Sequence, residues 1–230
     1  MKARLFVWLG GATFVGSLAF CGWSYLVTWS APFGRGSLDG WLAVAADAAL
    51  FSVFAMHHSV LARERVKTRL ARSIPEPLLR SVYVWIASVL LILVCAIWRP
   101  VGGEIYRATG WRALAHAAVQ LAGLWLIALS VRAIDPLELA GIRDPVVRTS
   151  TTLQITGPYR WVRHPLYLGW MLAVFGAAHM TGDRLAFAVI SSIYLILAVP
   201  WEEQSLRRSV GEEYAAYARA VRWRIIPFVY

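Results

Sequence analysis

Six apolar runs divide this chain, at about Leu5–Trp29, Trp41–Ala62, Val82–Trp98, Trp111–Ile134, Leu166–Met180 and Leu185–Trp201. Lipid offers no partner for backbone N–H and C=O groups, so runs of this length have to become helices that satisfy themselves. A span needs roughly 20 apolar residues. The first four runs meet that length and the last two fall short, which predicts a C-terminal helical hairpin that is thin, tilted or shielded by protein. The expected fold is all-α and integral to the membrane, with five to six transmembrane helices. Composition agrees, since 59% of the 230 residues are apolar and only 16% are charged.

Charge sets the expected orientation. With the N-terminus inside, the inner segments hold 18 of the 23 lysines and arginines: Lys2 and Arg4, the cluster Arg63 to Arg80, five between Arg132 and Arg163, and five from Arg207 to Arg224. The outer segments keep Arg35, Arg99, Arg107, Arg112 and Arg184. This bias follows the positive-inside rule and puts both termini in the cytoplasm. It also accounts for the net charge of +10, because basic residues beside membrane ends meet anionic lipid. No groove-reading motif accompanies them, so membrane lipid is the expected partner and nucleic acid is not. Lys2 and Arg4 ahead of an apolar stretch resemble a secretion signal, but the run to Trp29 predicts a retained first helix. Cys21 and Cys95 lie in separate apolar runs without metal spacing and read as packing residues, and no metal is expected.

The chain divides into N-terminal transmembrane helices over residues 1–134 and a motif-dense part over 135–230. The latter opens on a polar loop, Asp135 to Thr156, with Pro136, Gly141 and Pro145, which serves as a tether or as a lid. Beyond Trp201, Leu206, Val210, Tyr214, Tyr217 and Val221 recur at three- and four-residue spacing. That stripe predicts a short cytoplasmic amphipathic helix starting at Glu203, weakened at Gly211.

Helix arithmetic then brings two motifs to one depth. The turn of the last hairpin is Thr181-Gly182-Asp183; Pro165 lies 17 residues before Gly182 and Glu202 lies 20 after it. Two antiparallel helices of nearly equal length return Glu202 and Glu203 to the level of Arg163 and His164. Pro165 suits a first helical position, which puts Arg163 and His164 at a helix N-terminus that favours an anion. Tyr159 and Tyr167 offer phenols and ring faces to a cation, and Gly157 and Gly169 admit close approach to backbone. Glu202 and Glu203 suit an ammonium or sulfonium. Taken singly, Arg163 can snorkel to phosphates and the glutamates can pair with Arg207 or Arg208; together, ionisable groups at membrane depth mark function. Farther upstream, Asp47, Phe54 and His58 fall on one helical stripe, and Asp47 needs a partner, for which His116 with Gln120 is a candidate.

The stretch GPYRWVRHPLYLG at 157–169, the EE pair, GEEYAAY at 211–217 and VRWRIIP at 221–227 resemble the isoprenylcysteine carboxyl methyltransferase family, with phospholipid methyltransferases as broader relatives. MHHSVLAR at 56–63, IWRP at 97–100 and PLELAGIR at 136–143 are more similar to its bacterial methanethiol S-methyltransferase and NnrU-like branch. The resemblance implies S-adenosylmethionine as methyl donor and a pocket lined by Arg163, His164, Tyr167, Gly169, Glu202 and Glu203. His164, Arg163 and Glu203 are the expected catalytic residues; Tyr159, Tyr167, Gly169 and Glu202 join them around the cofactor. The expected acceptor is a small-molecule or lipid-like thiol, with prenylcysteine carboxylate and a phospholipid amine as alternatives. A reductase would want a Gly-rich dinucleotide fingerprint, which is missing. A transporter would want inverted repeats, which are missing too.

Overall fold

A computed structural model describes residues 2–31, 40–61, 66, 69–70, 72, 75–134, 136–142, 153 and 155–230. The longer helices among the described residues are, in order, α1 Lys2–Leu26, α2 Gly40–Leu61, α3 Glu76–Ala96, α4 Gly110–Ile134, α5 Pro165–Phe175, α6 Gly182–Val210 and α7 Glu212–Ala220, with a single turn at Pro136–Leu139. Two strands, β1 Glu104–Arg107 and β2 His179–Thr181, form one small sheet. Among the described residues, α1, α2, α3, α4 and α6 are long and apolar enough to cross a membrane. The protein is an all-α integral membrane protein. The chain divides into two compact units: residues 1–105, 136–145 and 181–186, and residues 106–135, 146–180 and 187–230.

In the first unit α1 and α2 both pack on α3. Carboxylates fasten its connecting chain. Asp183 accepts the Trp98 indole N–H at 3.2 Å and the Val101 and Gly102 N–H groups at 3.0 and 3.3 Å. Asp47 accepts the Arg99 N–H at 2.8 Å. This corrects the expected pairing of Asp47 with His116 and Gln120, since a backbone donor at the mouth of α3 reaches Asp47 and Gln120 donates to the Ala173 carbonyl at 2.9 Å. Arg184 donates to the Tyr25 and Leu26 carbonyls, closing the open end of α1, and stands over the Tyr25 ring. The side chain of His58 lies outside the described residues, as do Arg63, Arg65 and Lys67 of the basic cluster and most of the loop 135–156.

In the second unit α5 runs along α4 at glycine-to-glycine distance. A Cβ on Gly123 would stand 2.5 Å from Ala173 N, and one on Gly169 2.8 Å from Gly123 O. Small residues let membrane helices approach this closely. With 11 residues α5 is about 16 Å long, half a bilayer core. Extended chain follows it, where the Ala108 N–H donates to Ala178 O and the Tyr106 hydroxyl to Ala177 O. Among the described residues five helices are long and apolar enough to cross a membrane, and α5 is a shorter apolar helix.

The end of the chain departs from expectation. Helix α6 does not stop at Trp201; it continues through Pro200 and both glutamates to Val210. Gly211, at φ 66°, then breaks the helix, and α7 starts at Glu212. The apolar stripe survives the break: Tyr214, Tyr217 and Val221 form one buried cluster with Leu206 and Val210 packed on it.

Candidate active site

The Arg-His corner is built by proline and by a distant backbone. Pro158 enters a single helical turn, Gly157–Arg160, and Pro165 opens α5 with His164 as its cap. The N–H groups of Arg163 and His164 donate to the Trp223 and Arg224 carbonyls at 2.9 and 2.7 Å. The corner is thus hydrogen-bonded to residues 60 positions later.

Glu202 and Glu203 meet it as the helix lengths require. Arg163 Nε donates to Glu203 Oε1 at 2.7 Å. His164 Nε2 lies 3.4 Å from the same oxygen, and its Nδ1 lies 3.6 Å from Glu202 Oε2. The Tyr167 hydroxyl donates to Glu202 Oε2 at 2.7 Å, and the Tyr167 ring stacks on His164 with centroids 5.3 Å apart. The two acids differ sharply in surroundings. Glu203 keeps 3% of its side chain exposed and Glu202 keeps 46%. One acid is locked inside a charge network, while the other faces outward with a phenol on it.

Arg163 does something other than wait for an anion. Its Nη1 donates to the carbonyls of Val221 and Arg222 at 2.7 and 2.9 Å, and to Ala218 at 3.4 Å. It caps the end of α7 while holding Glu203, so its Nε and Nη1 are already engaged within the protein. Gly169 likewise admits α4 rather than a ligand, since its open side faces Gly123 and Ile127. Tyr159 is buried and its carbonyl accepts the Tyr217 hydroxyl at 2.7 Å. Burial, helped by nearby Glu202, pushes the Tyr159 phenol up to about 12. Burial also lifts Tyr217 to about 12, with Arg163 opposing and Glu203 adding to the rise.

Five arginines follow the glutamates in the chain: Arg207, Arg208, Arg219, Arg222 and Arg224. The fold selects Arg224, whose Nε lies 3.4 Å from Glu203 Oε2. It also adds Tyr214, which is 1% exposed, with burial and Glu203 raising its phenol. His164 Nε2 and the Tyr214 hydroxyl are buried here without a well-aligned hydrogen bond, and both stand against Glu203. Beside the cluster, an apolar groove of about 400 Å³ is lined by Leu168, Met171, Phe175 and Ile226, with His116 on its far wall. Tyr167 and Leu168 pack on the buried cluster Met171, Val199 and Ile225 that backs it. None of the site's two guanidinium groups, two carboxylates, imidazole and phenol lines this slot; Leu168, next in the chain to Tyr167, and Ile226, two residues after Arg224, are the slot residues nearest to them in sequence.

Comparison with known proteins meets this geometry from another direction. A family model described as phospholipid methyltransferase matches residues 111–213. Methanethiol S-methyltransferase of Crocosphaera subtropica is 36% identical over 194 residues, covering 81% of this chain and 76% of that protein. Methanethiol S-methyltransferase 2 of Bradyrhizobium diazoefficiens is 35% identical over 217 residues, covering 91% and 82%. The methanethiol S-methyltransferase of Mycobacterium tuberculosis is 33% identical over 202 residues, covering 84% and 79%. No solved structure matches.

Proposed function

This chain belongs to the membrane methyltransferase family that holds the methanethiol S-methyltransferases, and from that membership we propose S-methylation of a small or lipophilic thiol by S-adenosylmethionine. It is an integral membrane methyltransferase. The observation that carries the reading is the paired arrangement of Arg163 and His164 with Glu202 and Glu203, within reach of an apolar groove.

The residues fit a zwitterionic sulfonium donor. His164, Tyr167 and Glu202 would hold it, with the outward carboxylate and the stacked rings suited to its cationic part. When bound, the donor supplies an electrophilic methyl group on a sulfonium. Glu203 and Arg163 act behind these side chains, keeping the His164 ring and α7 in place through the 2.7 Å ion pair. Tyr159, sealed by Tyr217, closes the same end. The groove along α5 would receive the acceptor and keep water from it, which is the positioning that methyl transfer to a thiolate requires. A thiol with an ordinary pKa near 8.5 gains from the cationic surroundings that Arg224 provides. The motif-dense part, residues 135–230, carries the site, and the excess of basic residues puts it on the cytoplasmic face of a bacterial inner membrane.

The test is methyl transfer from labelled S-adenosylmethionine to a panel of methanethiol, longer alkanethiols, a prenylcysteine and a phosphatidylethanolamine. Label is expected in the thiols, and His164→Ala should remove it. Label confined to the carboxylate or the amine would reverse the acceptor assignment, and a His164→Ala enzyme of full activity would remove the site.

A further inference from the structure

Three consecutive backbone N–H groups, those of Arg224, Ile225 and Ile226, converge on the backbone oxygen of Tyr230 at 2.9, 2.9 and 3.2 Å. Successive N–H groups aimed at one point form a concavity that favours an anion. The Arg224 side chain adds its charge there. Its Nη1 donates to the Tyr230 hydroxyl at 3.0 Å, and its guanidinium carbon stands 5.1 Å from the centre of that ring. The same residue touches the candidate site, through Glu203 Oε2 at 3.4 Å and through its carbonyl, which accepts the His164 N–H. One residue, Tyr230, thus satisfies four donors beside the two acids.

The turn that returns Tyr230 to this corner is strained. Phe228 sits at φ 65°, in the left-handed region that a bulky side chain seldom adopts, and is 86% exposed. Strain of this kind persists where surrounding contacts enforce it, and it clusters at ligand clamps and switches. Here the enforcing contacts are the Tyr230 hydrogen bonds and the packing of its ring on Met171, Val199 and Ile225.

We propose that this corner binds the carboxylate of the methyl donor, and that Tyr230 is an internal occupant which the donor displaces. The assignment rests on the amino-acid-bearing donor inferred above. It answers a question raised by Arg163, whose Nε and Nη1 are already engaged by Glu203 and the end of α7. Arg224 keeps 35% of its side chain exposed and is the guanidinium open to a ligand carboxylate. A carboxylate oxygen would take the place of the Tyr230 oxygen on the three N–H groups while the ammonium end faces Glu202.

The experiment compares dissociation constants of the full-length protein in detergent for S-adenosylmethionine and for decarboxylated S-adenosylmethionine, the same sulfonium with its ammonium but without the carboxylate. Arg224→Gln should weaken the former about tenfold or more, as loss of a charged hydrogen bond does, and leave the latter within twofold. Tyr230→Ala keeps the backbone oxygen but loses the ring packing and the Arg224 contact that hold it in the corner, so it should tighten S-adenosylmethionine severalfold and leave the decarboxylated donor unchanged, a gain that misfolding cannot imitate. Equal weakening of both ligands by Arg224→Gln, or weaker donor binding in Tyr230→Ala, would overturn the assignment. A wild-type protein that binds neither ligand would refute the donor reading itself.

Discussion

Glu203 is the residue on which most contacts of the site converge. It is 2% exposed and faces Arg163, His164 and Arg224, so no partner can be removed without leaving another charge buried. Glu203→Gln should cost about 3–5 kcal/mol, the range for breaking a buried pair on one side. Methyl transfer should fall by at least about a hundredfold. A melting curve in detergent and a single-turnover assay check the two effects separately. Arg163→Lys keeps the charge but loses the fork that spans Glu203 and three carbonyls. Its expected signature is early proteolysis at Gly211 with a lowered melting point. The phenols give a pH prediction. Tyr159 and Tyr217 sit at about 12 in the fold against about 10 in an unfolded chain, so the fold favours their neutral forms. That stabilisation is complete below about pH 10 and is lost as pH rises through about 12. Phenolate absorbance followed with melting temperature should show it; melting that stays flat from pH 10 to 12 would contradict it.

At the level of elements, the contact between α4 and α5 sets where the site's helix stands. Gly123 and Gly169 meet backbone atoms of the opposite helix, which cannot swing aside as a side chain can. Gly169→Ala should therefore destabilise by about 1–3 kcal/mol and move Tyr167 away from Glu202. Gly157→Ala is the instructive comparison. Nothing lies within 4 Å of its added Cβ, yet its φ of 60° makes a cost of about 1–2 kcal/mol expected from backbone conformation alone. Equal activity in Gly169→Ala and wild type would show that α5 tolerates displacement. Hydropathy could not reveal these roles, because a glycine facing a ligand and one facing a helix look alike in a sequence. Nor could it show that α6 passes through Pro200. Membrane helices accommodate proline because neighbouring groups satisfy the freed carbonyl.

Across the whole chain, the proposed topology, with alternating crossings and basic segments inside, puts Ser209 and Glu104 on opposite sides of the membrane. In a variant lacking Cys21 and Cys95, a membrane-impermeant maleimide applied to intact cells should label Glu104→Cys and spare Ser209→Cys. The reverse pattern would invert the topology and with it the cytoplasmic placement of the site. Much was determined by sequence alone: which segments enter lipid, the family, and the common depth of Arg163, His164, Glu202 and Glu203. Those follow from local quantities, namely the apolar content of a run and a constant rise of 1.5 Å per helical residue. Tertiary structure alone decided that Arg163 fastens α7, that Gly169 faces α4, that Arg224 is the arginine beside Glu203, and that Tyr230 fills the corner beside it. Each depends on which side of an element meets a distant segment. That direction comes from packing of the whole unit, and no spacing within a single motif encodes it.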